Sequence, residues 1–376
     1  MATTKKKATE NQEEELALSI VDALNKTFKD GQVAYIIGQD DTPTDLTDFV
    51  GTGSSLLDLA ISNRPHGGIA CGRITELTGL EGSGKSLIAA HMMANVQREG
   101  GVVVLLDTEN AVNPEFFEAI GLNFGQMVYA QPDTVEDIFV MIETIVNRVR
   151  EKQGNDKKVI IVVDSVAGAP TKQEMEADYD KDGYATGKAI ILSKAMRKVT
   201  SLIAKQKIAL VFTNQLRQKM NAPAFSDPWT TSGGKAIAYH ASTRIRLATT
   251  GKIANKDKEV IGVSVKASVI KNRLGPPYRT AEFNVYFDRG IDDLDSWLKF
   301  CKDKGLMKTA GAYVKYEDLE GNEHQFAGKE FKKFLTENPT LQDEIYNRMC
   351  ETVIMSYSSE GLSEEDLDLS DAGDLE

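Results

Sequence analysis

Cysteine is scarce in this sequence. The 376 residues hold three, Cys71, Cys301 and Cys350, and no two of them stand in a C-x-x-C pair. That excludes a disulfide framework and a cysteine-built zinc site, and it suits a reducing compartment. Long apolar runs are missing as well, since nothing approaches the ~18 apolar residues that a membrane helix needs. The N-terminal MATTKKKATENQEEE has three lysines but no apolar stretch behind them to make an export signal. A soluble, cytoplasmic protein with no membrane partner is expected. No internal repeat is present, and the length suits one large core with one or two small appended domains.

Positive charge is in deficit, with a formal net charge of −12. That balance alone disfavours a nucleic-acid partner. Its distribution reverses the conclusion. Eight acids and no base fall within 360–376, whereas 183–256 carries thirteen Lys or Arg against one acid, Asp227. So long a stretch without counter-charge is unlike an ordinary solvated face and points to polyanion binding.

The clearest chemical signal is GLEGSGKS, residues 79–86. In G-x-x-x-x-G-K-S the glycines let backbone N–H groups converge on phosphate oxygens, the lysine (Lys85) reaches the β- and γ-phosphates, and the serine (Ser86) ligates Mg²⁺. The setting agrees: RITELT before the loop reads as a strand and SLIAAHMMANVQRE after it as a helix. A nucleoside triphosphate is therefore expected on Gly79, Leu80, Glu81, Gly82, Ser83, Gly84, Lys85 and Ser86.

An amphipathic helix is expected over 13–28, followed by a Gly/Asp/Thr-rich connector. Strands VVVLLD, MVYA, VIIVVD and IALVFTN then alternate with helices from Pro114, over about 134–149 and near 188–206. Such alternation of apolar strands and helices means an α/β fold with a parallel sheet covered on both faces. TRIRLA, GVSVKASVIK and AEFNVYF read as antiparallel additions to that sheet. Beyond Gly290 the pattern becomes a small mixed region, with helices at 293–304 and 329–337 and a last helix ending near Tyr357. The tail after it is expected to be disordered.

VIIVVD ends in Asp164, a carboxylate placed to position Mg²⁺. LLDTEN offers Asp107 and Glu109 at another strand end, where a carboxylate would act as general base. Asn214 and Gln215 follow a third strand, where an amide would sense the γ-phosphate. Next comes RQKMNAPAFSDPWTTSGGKA (217–236), a long loop whose cations, Phe225 and Trp229 suit single-stranded nucleic acid. A second such segment, EADYDKDGYATGK, precedes a helix whose stripe of Leu192, Ala195, Met196, Val199, Leu202 and Ile203 faces the core, with Lys194, Arg197, Lys198 and Lys205 turned away.

From about Glu13 through Tyr357 the chain resembles the bacterial-type RecA recombinases, cellular or phage-encoded. The resemblance rests on ordered motifs: GTGSSLLDLAI, GRITELTGLEGSGKS, LLDTENAVNP, QPDT, IIVVDSVA, SKAMRK, NQLRQKM, TTSGGKAIAYHAS and VIKNRLGPPYR. It implies a RecA-type ATPase core with a mostly parallel central sheet flanked by helices, an N-terminal helical arm and a small C-terminal α/β domain. The implied division is 1–48 for arm and linker, 49–289 for the core, 290–357 for the small domain and 358–376 for the acidic tail. The implied function is a DNA-dependent ATPase that forms helical filaments on single-stranded DNA and performs pairing and strand exchange with homologous duplex. Mediator proteins and a single-strand-binding protein are further implied partners.

By the same resemblance Glu109 is the catalytic base, Gln215 the γ-phosphate sensor, and Lys271 and Arg273 cations that reach the neighbouring subunit's nucleotide. Asn113 and Phe116 stand near adenine. The DNA-contacting residues are Tyr184 and Arg197 in and after the first loop segment, and Arg217, Lys219, Phe225, Ser232, Gly233, Gly234 and Lys235 in the second. Several positions depart from the family pattern. Asn113 and Phe116 replace an aspartate and a tyrosine, and Tyr184 replaces a histidine. The second loop is one residue longer and carries Pro223 and Pro228, and SNRPHGG is an atypical insert. A ring-forming helicase and an ATP-gated binding module share the core motifs. The arm, the two loops and the post-core domain favour the filament over the ring, and Glu109 with Asp164 favours an enzyme.

Overall fold

The structure, a computed structural model, describes residues 2–28, 32–37, 39–40, 42, 44–110, 112–153, 157–177, 185–219, 227–231 and 234–356. Tyr184, Phe225, Ser232, Gly233 and the acidic tail lie outside the described residues. The chain divides into a unit of residues 1–47 and a unit of residues 48–376. In the first, α1 (Ala2–Thr27) begins well before the apolar pattern that announced it. Its early residues are mostly polar, and Lys5, Lys6, Lys7, Ala8, Glu10 and Gln12 among them are good helix formers. In the last turn of the helix, the Asn25 carboxamide oxygen accepts from Val33 N at 2.8 Å and Ala34 N at 2.9 Å, and pins the segment that follows.

In the second unit β1 (Phe49–Val50) and β2 (Ile69–Ala70) form a short antiparallel pair with α2 (Ser55–Ser62) between them. The chain then runs through β3 (Ile74–Gly79), α3 (Lys85–Arg98), β4 (Val102–Asp107), α4 (Pro114–Ile120), β5 (Met127–Ala130), α5 (Val135–Gln153) and β6 (Val159–Asp164). It continues through α6 (Lys172–Glu176), α7 (Ala185–Gln206), β7 (Ala209–Gln218), β8 (Trp229–Thr231) and α8 (Ala236–His240). A meander of β9 (Thr243–Ala254), β10 (Val260–Asn272), β11 (Thr280–Tyr286) and β12 (Gly290–Asp292) completes a ten-stranded sheet of order β12-β11-β10-β9-β3-β7-β6-β4-β5, with β8 attached to β7.

Strict alternation along the central strands fills both faces. In β4, Val103 and Leu105 pack with Ile88 and Met92 of α3, whereas Val104 and Leu106 pack with Ile138 of α5 and Met196 of α7. Leu192, Met196, Val199 and Ile203 are buried in that second layer, as the helix stripe anticipated. The small region holds α9 (Asp293–Asp303), a three-stranded sheet of β13 (Lys308–Ala310), β14 (Tyr313–Glu317) and β15 (Glu323–Ala327), then α10 (Phe331–Glu337) and α11 (Pro339–Val353). Its core of Trp297, Tyr316, Phe326 and Met349 also takes in Leu59 of α2.

Three expectations need correction. TRIRLA is not an antiparallel addition: β9 lies parallel to β3, because the crossover through α8 returns the chain in the same direction, and only the later hairpins are antiparallel. MVYA is not covered on both faces, since β5 is the sheet edge and leaves Val128 and Tyr129 exposed. Asn214 and Gln215 do not follow a strand end, because β7 runs on to Gln218, its last residues paired with β8.

The packing has a measurable consequence. Phe212 is fully buried with its ring 6.3 Å from that of Phe139. Phe212→Ala is expected to lower unfolding stability by about 3–5 kcal/mol, whereas Val128→Ala at the exposed edge should change it by no more than ~0.5 kcal/mol. Denaturant titrations of the two variants check the contrast.

Candidate functional site

At the C-terminal edge of the parallel strands, β3 delivers the phosphate loop onto α3. Gly84 starts that helix at φ 91°, a left-handed conformation that favours glycine, with open space where a Cβ would project. At Gly79 the constraint is close approach: a Cβ there would lie 2.2 Å from Ser83 Oγ and 2.9 Å from the Leu247 carbonyl. Ser83 Oγ is buried and has no partner among the described residues. An open glycine turn at a helix N-terminus, with an orphaned hydroxyl inside it, fits a phosphate chain.

The Lys85 ammonium donates to the Leu80 carbonyl at 2.8 Å and the Gly79 carbonyl at 3.2 Å. Burial draws its pKa down, and the charges of Asp164, Glu109 and Glu81 oppose that shift. The four groups therefore share one electrostatic neighbourhood. Asp164, at the end of β6, accepts from the Thr213 hydroxyl, and Glu109 accepts from Ser165 Oγ. Asp107 has a different job. It is buried, and its oxygens accept from Glu109 N at 3.0 Å, Asn110 N at 2.9 Å and the Tyr129 hydroxyl at 3.1 Å. It fixes the turn that presents Glu109.

A cavity of about 340 Å³ adjoins the loop. Lys85, Ser86, Asp164, Asn113, Phe116 and Phe287 are among the residues that line it. The Asn113 side-chain oxygen caps α4, accepting from Phe116 N at 3.3 Å, so the helix start holds the phenylalanine in place. Phe287, Val263 and Val285 were not anticipated from the sequence. Their signal is weak: Phe287 is an exposed aromatic just past a strand end, and no periodicity marks it.

Gln215 reaches the loop by register, because the parallel pairing of β3 and β7 sets it opposite Gly79. Asn214, one residue earlier, is buried and donates to Glu76 Oε1 at 3.0 Å, which removes it from the candidate sensors. Glu76 also accepts from Arg244 and is itself fully buried.

Lys271 does not line the phosphate-loop cavity. It borders a second one, of about 370 Å³, with Lys219, Lys235, Arg244, Arg246 and Trp229. Its ammonium donates to the Ala238 carbonyl at 2.9 Å and the Tyr239 carbonyl at 2.7 Å, at the end of α8. Burial and then the charges of Arg273 and Arg244 hold its pKa below the usual lysine value. Arg273 is exposed one residue past β10 and donates through its backbone to the Ser242 carbonyl at 3.0 Å. The His240 pKa is lowered by burial and then by Arg197, Lys271 and Arg273, which places these cations around one histidine. Arg217, Lys219, Gly234 and Lys235 lie on the same run of chain. Among the described residues no group of three or more His, Cys, Asp or Glu forms a metal cluster, and no helix is long and apolar enough to cross a membrane.

A family model described as the RecA N-terminal domain matches residues 15–292. Among curated relatives, Protein RecA of Thermus thermophilus is 33% identical over 352 residues, covering 93% of this chain and 96% of the relative. Protein RecA of Arthrospira platensis is 32% identical over 343 residues, covering 91% and 88%. Protein RecA of Campylobacter jejuni is 34% identical over 326 residues, covering 86% and 89%.

The phosphate-loop helix carries a titratable anchor. His91 is 7% exposed, its Nε2 accepts from Ile291 N at 2.9 Å, and burial, helped by the charge of Arg98, lowers its pKa to about 4. The folded protein keeps it neutral where the unfolded chain, with a pKa near ~6.5, takes up a proton. Stability must therefore fall as pH drops from about 6.5 towards 4, by roughly 2 kcal/mol from this residue at pH ~5. His91→Gln is expected to remove that part of the pH dependence, as measured by denaturation at pH ~7.5 and ~5.

Proposed function

The chain belongs to the RecA family and is a DNA-dependent ATPase of recombination and repair, and we propose that Lys85, Glu109 and Gln215 of one subunit work with Lys271 and Arg273 of the next. DNA binding, single- and double-stranded, and filament formation come with family membership. The supporting observation is a separation. Lys85, Asp164 and Glu109 gather at the phosphate loop, while Lys271 lines a different cavity together with other cations. Lys271 stands apart from the phosphate loop of its own subunit, and a cation so placed suits a neighbour's nucleotide.

Backbone N–H groups of the loop and Lys85 hold the ATP phosphates. Ser86 and Asp164 are the residues that would hold Mg²⁺, which when bound neutralises phosphate charge. Glu109, presented by the Asp107 turn, takes the proton of the attacking water. Gln215 bonds the γ-phosphate, and strand β7 carries its state to the loop that follows. Asn113 and Phe116, with Phe287 lining the same cavity, are the residues that would contact adenine. Arg197, Arg217, Lys219, Gly234 and Lys235, with Tyr184, Phe225, Ser232 and Gly233, form the DNA surface.

We assign 1–48 as the arm that docks on the next subunit, which suits the exposed Leu16, Leu18, Ile20 and Leu24 of α1. Residues 49–289 are the ATPase core, 290–357 the small domain and 358–376 the tail. A cytoplasmic location, mediator proteins and a single-strand-binding protein complete the reading, and the paucity of cysteine supports the location.

Two variants test the site. Lys85→Ala should lose ATP binding and nucleotide-dependent assembly on DNA, and normal filaments from that variant would overturn the phosphate-loop assignment. Lys271→Ala with Arg273→Ala should leave ATP binding by the free protein nearly intact and lower DNA-stimulated hydrolysis by about 10³-fold or more. Mixing this variant with a Glu109→Gln protein should restore part of the activity, because some interfaces then pair an intact base with intact cations. Hydrolysis by the double variant within a few-fold of the parent would refute the trans assignment.

A further inference from the structure

Asp227 is the one acid among the fourteen charged residues of 183–256, and the fold uses it in a particular way. Its carboxylate lies across the guanidinium fork of Arg246, with Nη1 at 3.4 Å from Oδ1 and Nη2 bonded to Oδ2. Oδ1 also accepts from Trp229 N at 3.1 Å. The Lys219 ammonium sits beside it, donating to the Asp227 carbonyl at 2.7 Å, and Lys219 N donates to the Pro228 carbonyl at 2.8 Å. One carboxylate thus occupies a fork, a backbone N–H and the field of a lysine, at the wall of the basic 370 Å³ cavity.

That donor set is what a phosphodiester asks for. Its two non-bridging oxygens present the same spacing to a guanidinium fork as a carboxylate does, and an arginine fork with an added N–H is a strong receptor for either. The Arg246 side chain is 27% exposed and the Asp227 side chain 48%, so the pair is reachable from solvent. Both strands that carry the site are anchored. Arg246 is on β9, paired with β3 through Thr78, and Trp229 is on β8, paired with Gln218 of β7. The surrounding cations, Lys235, Arg244 and Lys271, attract polyanions to this wall and repel none.

We propose that Arg246, Lys219 and the Trp229 N–H form a phosphate-binding site for single-stranded DNA, and that Asp227 is its resident occupant, displaced when a backbone phosphate enters. This rests on the reading of the chain as a DNA-binding ATPase and adds a device to it. A phosphate and the Asp227 carboxylate cannot share the fork, so entry of DNA turns Asp227 out and frees the start of β8 from β9. Strand β8 is hydrogen-bonded to β7, and β7 carries Gln215 opposite Gly79. DNA entry and the phosphate loop are in this way joined through one continuous strand. The latch also sets a threshold: stray anions must compete with an intramolecular carboxylate, whereas a strand that engages several neighbouring cations does so easily.

The test is binding of a fluorescein-labelled oligothymidylate by the full chain with a non-hydrolysable ATP analogue, followed by anisotropy across a salt titration. Asp227→Asn and Asp227→Ser should each bind about fivefold tighter than the parent. Their salt slope should stay close to the parent's, because the same number of phosphates is engaged and a lone uncovered carboxylate gathers almost no cation. Arg246→Met should bind more weakly, and adding Asp227→Asn to it should bring no gain. Binding by the Asp227 variants that is unchanged or weaker, at unaltered thermal stability, would mean that Asp227 only staples the hairpin, and the latch would be refuted. An equal gain in the Arg246→Met background would refute it too, since the effect would then be general repulsion. If the parent itself shows no nucleotide-dependent binding, the DNA reading fails and the latch with it, whereas parent binding without a gain in the variants removes the latch alone.

Discussion

The site depends on the parallel register of β3 between β7 and β9. That pairing sets Gly79 opposite Gln215 on one side and opposite Leu247 on the other. The loop then leaves the sheet at a height fixed by two neighbours, not by its own glycines. A slip of one residue would reverse every side chain and send the apolar half of β3 to the wrong layer. Register errors are therefore expensive in core packing, and the same expense protects the geometry of the phosphate site.

Charge is handled by segregation. The wall formed by β8, β9 and the end of β10 gathers Lys219, Lys235, Arg244, Arg246 and Lys271. Such crowding is tolerated because two acids reach it: buried Glu76 accepts from Arg244, and half-exposed Asp227 accepts from Arg246. Their surroundings differ, and so do their roles. Glu76 is enclosed and also holds Asn214, so removing it would leave the half-buried Arg244 guanidinium and the buried Asn214 amide without that partner, a loss of the costly kind. Asp227 faces solvent, where an incoming anion can replace it at little cost.

The small C-terminal region is tied to the core through polar contacts that no apolar pattern would disclose. Asp293 accepts from Ser55 N at 2.8 Å, from the Ser55 hydroxyl, and from Trp297 Nε1 at 3.1 Å, which joins the start of α2 to α9. The atypical insert SNRPHGG takes part. Asn63 exchanges hydrogen bonds with the backbone of Met355 at 2.9 Å each way, and His66 stacks on Tyr346 with ring centroids 4.7 Å apart. What looked like an interruption before the phosphate loop is a bracket between α2 and α11.

The sequence by itself determined the phosphate loop, the α/β alternation, the buried stripe of α7 and the concentration of positive charge, because each is local or periodic and needs no knowledge of what packs against it. Glu109 and Asp164 were legible as strand-end carboxylates for the same reason. Only the tertiary structure decided which of two acids in LLDTEN presents the other, that Asn214 turns inward to Glu76 and leaves Gln215 beside the loop, and that β9 joins the sheet parallel to β3. Phe287 at the cavity beside the phosphate loop and the pairing of Asp227 with Arg246 were also invisible beforehand. Those outcomes depend on contacts between residues far apart in the chain, and such contacts are fixed by register and crossover, quantities that no short window of sequence contains.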